Sequence, residues 1–88
     1  MGSVRFDGIV FFVFTRDRAP PHVHAYYGDL TVILELREEG GVWIADRSDA
    51  LEPRDPKKNE VRRVLRCARA NEEALRELWR RTHESSND

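Results

Sequence analysis

His22–Arg37 reads HVHAYYGDLTVILELR, and the fold turns on how its middle is read. Gly28-Asp29 separates two runs rich in β-branched and aromatic residues. A glycine at the first of two loop positions marks a type II′ hairpin, because that position needs a positive φ. A two-residue turn fixes the register of everything that flanks it. Tyr27 then pairs with Leu30, Ala25 with Val32 and Val23 with Leu34, while Tyr26 meets Thr31, His24 meets Ile33 and His22 meets Glu35. One face of the hairpin is apolar, continues through Leu36 and is the natural seat for a helix. The other face is mixed and carries the imidazoles.

Working outward, "IVFFVFT" (Ile9–Thr15) is β-branched and aromatic without polar alternation, which suits a central strand covered on both faces. Strands are assigned only from Gly8 onward. "TRDRAPP" ends that strand, and Pro20 and Pro21 push their predecessors toward extended geometry, so the loop stops where the histidines begin. Downstream, "EEGG" leads into "VWIAD", and the commonest loop lengths place Arg37 near Val42, which adds Trp43 and Ala45 to the apolar face. "RSDALEPRDP" cannot be strand interior, so the sheet should end before it. From Pro56 or Lys57, the steps of Val61, Val64, Leu65 and Ala68 give the apolar stripe of a helix. Asn71, followed by Glu72 and Glu73, opens a second helix whose apolar side is Ala74, Leu75, Leu78 and Trp79. The expectation is a single α+β domain over residues 1–83 with a frayed tail at 84–88. It has two layers, a mostly antiparallel sheet of about four strands covered on one face by two C-terminal helices.

Composition bounds the rest. A chain of 88 residues has room for one core. Fifteen Lys and Arg against sixteen Asp and Glu leave no overall electrostatic footprint for nucleic acid, so any such binding is local. The arginines of "VRRVLRCARA" read as a solvated helix face, since Glu72, Glu73 and Glu77 follow closely. The single cysteine, Cys67, cannot form an internal disulfide and reads as inert core, which suits a reducing, cytoplasmic setting. The longest apolar run, Ile9–Phe14, is far short of the ~20 residues that cross a bilayer, so no membrane partner is expected.

At strand spacing, His22 and His24 project from one side, with Glu35 across the hairpin and Tyr26 further along the row. His22, His24 and Glu35 form a two-His-one-carboxylate set, but an incomplete one, because His83 is the remaining histidine and lies toward the tail. No metal and no cofactor are assigned. A metal-free reading has one imidazole give and the other take a proton near neutrality, which is the chemistry of phosphodiester cleavage. The candidate catalytic residues are His22, His24, Glu35 and Tyr26. Arg16, Arg18 and Tyr27 are the candidate substrate-binding residues, the arginines for phosphate oxygens and the tyrosine as a stacking platform. The alternative is an ordinary mixed sheet face on which His22 and Glu35 form a routine cross-strand pair.

The stretch "GIVFFVFTRDRAPPHVHAYYG", with the later helix "ANEEALRELW", resembles a family of small bacterial proteins known as domain of unknown function family 4160. Its pattern is an apolar strand, an acidic loop, Pro-Pro-His-aromatic-His and a Tyr-Gly turn. Asp17, Pro20, Pro21, His22, His24, Tyr27, Gly28 and Trp79 fit it, while Val23 stands where members often have Phe and Tyr26 where they often carry Glu. The resemblance implies a component of a bacterial toxin–antitoxin module, partnered by a second small protein encoded beside it. The favoured reading is a toxin acting on RNA or another phosphate ester. The competing reading is a non-enzymatic interaction module whose His/Tyr face or edge strand docks a cognate protein.

Overall fold

The computed structural model describes residues 2–85, of which Ser85 is described in its backbone alone. Its elements are β1 (Gly2–Phe6), β2 (Ile9–Val13), β3 (His22–Tyr27), β4 (Leu30–Leu36), β5 (Val42–Ile44), β6 (Leu51–Glu52), α1 (Lys58–Ala70) and α2 (Glu72–Ser85). The strands form one antiparallel sheet in the order β1-β2-β3-β4-β5, and β6 joins it alongside β4. The α+β class and the two C-terminal helices are therefore as the sequence indicates, with β1 and β6 beyond the four strands expected. Residues 86–88 of the expected frayed tail lie outside the described residues, and α2 continues past His83 to Ser85.

The hairpin of β3 and β4 has the register dictated by its turn, from His22 opposite Glu35 to Tyr27 opposite Leu30. Gly28 has φ +59° and Asp29 is not left-handed, as a type II′ turn requires. β1 pairs with β2 through a second tight hairpin, Asp7-Gly8, where both φ values are positive, 52° and 78°. That is the type I′ pattern for which Asp-Gly is suited.

Ile9, Phe11 and Val13 of β2, Val23 and Ala25 of β3, and Val32, Leu34 and Leu36 of β4 point to one face and are fully or almost fully buried. α1 and α2 cover this face with Val64, Cys67, Ala68, Leu75 and Leu78. Alternation in β2 is stricter than its sequence suggests: Val10 and Phe12, on the other face, are half-buried. Cys67 is buried as expected, its thiol donating to the Phe6 carbonyl at 3.5 Å, and burial pushes the thiol up from its ordinary range.

β5 is one residue out of phase with the sequence reading. Leu36, not Arg37, pairs with the strand at Val42, so Val42 is fully buried on the helix side while Trp43 is 45 % exposed on the other. Ala45 joins Ile33 and Ala50 in a small separate cluster. The cause is the turn. Gly40 and Gly41 both take positive φ, 107° and 96°, and five residues separate the paired positions Leu36 and Val42. A shift of one residue reverses every side chain of a strand. The turn is gripped from α2: Glu72 Oε2 accepts the Gly41 N–H (3.1 Å) and Arg76 Nε (2.9 Å), and Arg76 Nη2 donates to the Arg37 carbonyl at 2.7 Å. Arg76 thus ties helix to sheet.

Candidate functional site

The loop between β2 and β3 brings a carboxylate to the histidines. Asp17 closes a turn on Phe14, its N–H donating to the Phe14 carbonyl (3.0 Å) while its Oδ2 accepts the Phe14 N–H (2.9 Å). This local closure aims the carboxylate back at β3. Oδ1 lies 3.5 Å from His22 Nε2, and Oδ2 lies 3.2 Å from His24 Nε2. All three side chains are nearly buried, at 10–15 % exposure. His22 Nδ1 donates to the Pro20 carbonyl at 2.9 Å, so the double-proline segment orients the ring that follows it.

The end of α2 completes the surroundings. His83 bridges the Trp79 and Asp17 carbonyl oxygens with its two ring nitrogens, 2.8 Å each. The Trp79 ring lies between the two imidazoles, its centroid 5.3 Å from that of His22 and 3.9 Å from that of His83. His83 is therefore not remote from the histidine pair: the helix end reaches across the sheet end and holds the loop that carries Asp17. On the far side, Phe14 packs edge-on against His24 with centroids 4.9 Å apart. Burial lowers the pKa of His24, against the opposing pull of Asp17.

A cavity of about 430 Å³ opens beside this cluster, lined by Arg16, Asp17, Arg18, His22, Glu35 and Arg47 among others. Arg47 is held by both carboxylate oxygens of Asp49 at 2.8 Å. Arg16 and Arg18 are exposed and make no ion pair among the described residues.

The structure brings His22, His24, Arg16, Arg18 and Glu35 to one region. Glu35 lines the cavity, yet its carboxylate accepts Arg37 Nε at 3.1 Å, and the carboxylate against the imidazoles is that of Asp17. Tyr26 shares the histidine face but sits further along β3, its ring edge-on to Phe12 at 5.2 Å. Tyr27 is on the opposite, helix-covered face, where Arg63 lies over its ring, so it is not brought to the histidines. This follows from strand alternation, which sends neighbours to opposite faces.

The model of a family described as a domain of unknown function (DUF4160) matches residues 8–80. The chain belongs to this family. Searches of curated proteins and of solved structures returned no match. The DUF4160 match runs from the start of β2 past Trp79, and so takes in Asp17, His22 and His24 but not His83. Among the described residues, no helix is long and apolar enough to cross a membrane.

Proposed function

We propose that this DUF4160 protein acts on a phosphate ester, RNA in the first instance, as the toxin of a two-protein bacterial module. The observation that carries the reading is the nearly buried Asp17–His22–His24 cluster, whose Asp17 and His22 border a cavity that also presents the guanidiniums of Arg16 and Arg18, unpaired among the described residues. Guanidinium is suited to phosphate oxygens because its donors match them in pairs. The cluster supplies what attack on phosphorus needs, namely a group that activates the incoming oxygen. The bond to the leaving oxygen breaks as the new P–O bond forms, and the proton lost by the nucleophile ends on the leaving group.

The test is growth of a bacterial culture on induction of this protein without its genomic neighbour, compared with His22→Gln/His24→Gln at equal soluble level and matched thermal midpoint. Arrest by the wild type alone, accompanied by shortened RNA, is the expected result. Arrest by both, or by neither, removes the toxin reading.

A second reading has its own support. The sheet face that the helices leave open carries half-buried Phe12 and Tyr26 beside exposed Phe14, and Trp43 stands exposed on β5. Aromatic groups of this kind are enriched where proteins dock. Retention of a co-expressed neighbour by the histidine variant, with no RNA cleavage by the wild type, favours the interaction module.

A further inference from the structure

We propose that Asp17, His22 and His24 bind one divalent transition-metal ion of the zinc class, through the Asp17 carboxylate and the Nε2 atoms of the two histidines. This departs from the sequence reading, in which the only carboxylate opposite the histidines was Glu35 and the set was incomplete. The missing ligand comes from the loop.

Geometry is the first argument. The three ligand atoms lie within 4.8 Å of one another. Bonds of about 2.1 Å to a tetrahedral ion place neighbouring ligand atoms about 3.4 Å apart. From the one oxygen Asp17 Oδ1, the separations to Nε2 of His22 and of His24 are 3.5 and 3.4 Å, close to that spacing. The second argument concerns orientation. His22 Nδ1 donates to the Pro20 carbonyl, which leaves Nε2 as the ring nitrogen that faces the Asp17 carboxylate. A ring nitrogen donating to a backbone carbonyl is also how metal-bound histidines are oriented and kept in the right tautomer.

The remaining features agree. Asp17 is held by the Phe14 N–H and, through its own carbonyl, by His83, so the carboxylate needs little ordering on binding. Two imidazoles and a carboxylate suit zinc, cobalt, nickel or ferrous iron and do not suit magnesium or calcium, which take oxygen ligands. Three protein ligands leave a fourth position, and Asp17 and His22 border the cavity from which a water or a phosphate oxygen would enter. What the ion does, lowering the pKa of a bound water that attacks phosphorus, rests on the phosphate-ester reading. That it binds does not.

The experiment titrates zinc chloride into the full-length protein after removal of metal by chelator, with heat of binding as the readout, and repeats it with cobalt for the absorption of a tetrahedral site. One equivalent of zinc is expected, with a rise in thermal midpoint. Asp17→Asn and His24→Gln should each weaken binding more than about 100-fold, beyond the 10–100-fold that outer partners carry. Glu35→Gln should keep it within about threefold, since that carboxylate is turned to Arg37. Far-UV circular dichroism of each variant establishes that it is folded, and His24→Gln serves if Asp17→Asn is not. No stoichiometric binding by the wild type, or loss on Glu35→Gln in place of Asp17→Asn, overturns the proposal. Hydrolysis of bis(p-nitrophenyl) phosphate separates it from the reading it extends. Stoichiometric zinc without hydrolysis upholds the metal site and counts against phosphate-ester chemistry. Hydrolysis undiminished by chelator does the reverse.

Discussion

The phase of β5 can be tested by two single substitutions in adjacent residues. Val42 is fully buried under the helices, and Val42→Ala removes two methyl groups there. Transfer alone is worth about 0.8 kcal/mol for each, and the cavity left behind brings the cost to about 2–3 kcal/mol. Trp43 is 45 % exposed, with the guanidiniums of Arg37 and Arg69 over its ring at 4.7 and 5.3 Å. Trp43→Tyr keeps an aromatic face for both cations and sends its hydroxyl to water, so it should cost under about 1 kcal/mol. In the opposite phase the two would exchange roles: Val42→Ala would be nearly free, and Trp43→Tyr would bury a hydroxyl beside a void for about 2–3 kcal/mol. Urea unfolding followed by circular dichroism reads the difference directly. For a domain of this size, 1 kcal/mol moves the thermal midpoint by roughly 4–8 °C, so the variants should be separated by several degrees or more. A larger loss for Trp43→Tyr than for Val42→Ala would refute the register and the turn geometry behind it.

Two pH-dependent outcomes follow from groups outside the histidine cluster. Glu72 is held below the ordinary 4.5, first by the Gly41 N–H and then by Arg76, so its contribution to stability is present above about pH 4.5 and is lost as pH falls through the depressed value; the advantage of the wild type over Glu72→Gln in urea should therefore disappear on acidification, and an advantage that persists at the lowest pH would count against the clamp. The Cys67 thiol is raised above the ordinary 9.0, mainly by burial, so the folded state keeps its proton longer than the unfolded one and that contribution fades as pH rises past about 9; iodoacetamide should label the native protein far more slowly than the urea-unfolded one at pH 8, and equal rates would mean the thiol is accessible.

Legibility in the sequence tracked how completely the turns specify geometry. Gly28-Asp29 admits one hairpin, and six pairs across β3 and β4 followed from it. Asp7-Gly8 carried an equally direct hairpin signal, but the strand before it, Gly2–Phe6, is short and contains Gly, Ser and Arg, so apolar alternation gave no prompt to pair it. The turn at Gly40-Gly41 allowed several lengths, and the grip of Glu72 and Arg76 that selects one of them comes from residues more than thirty positions away. The histidine face was readable from period-two spacing. Asp17 was not, because a loop residue has no periodicity and its direction is set by the closure onto Phe14. The acidic position in the family pattern was the one sign that pointed to it. Likewise, the place of His83 is not legible, because nothing in "HESSND" announces that α2 runs on far enough to meet the Asp17 loop.

The outer edge of β4 changes partners part-way along. Ile33 receives the Ala45 N–H on its carbonyl at 2.9 Å and donates its own N–H to the Ala50 carbonyl at 2.8 Å, so the ladder passes from β5 to β6 with no break. Residues 46–49 leave and rejoin the sheet at these two points, and Asp46 and Arg47 form part of the cavity wall. Doubling the length of such a loop costs only about 0.6 kcal/mol in closure entropy. This wall can therefore change in size or in charge while the sheet and the Asp17–His22–His24 cluster stay intact.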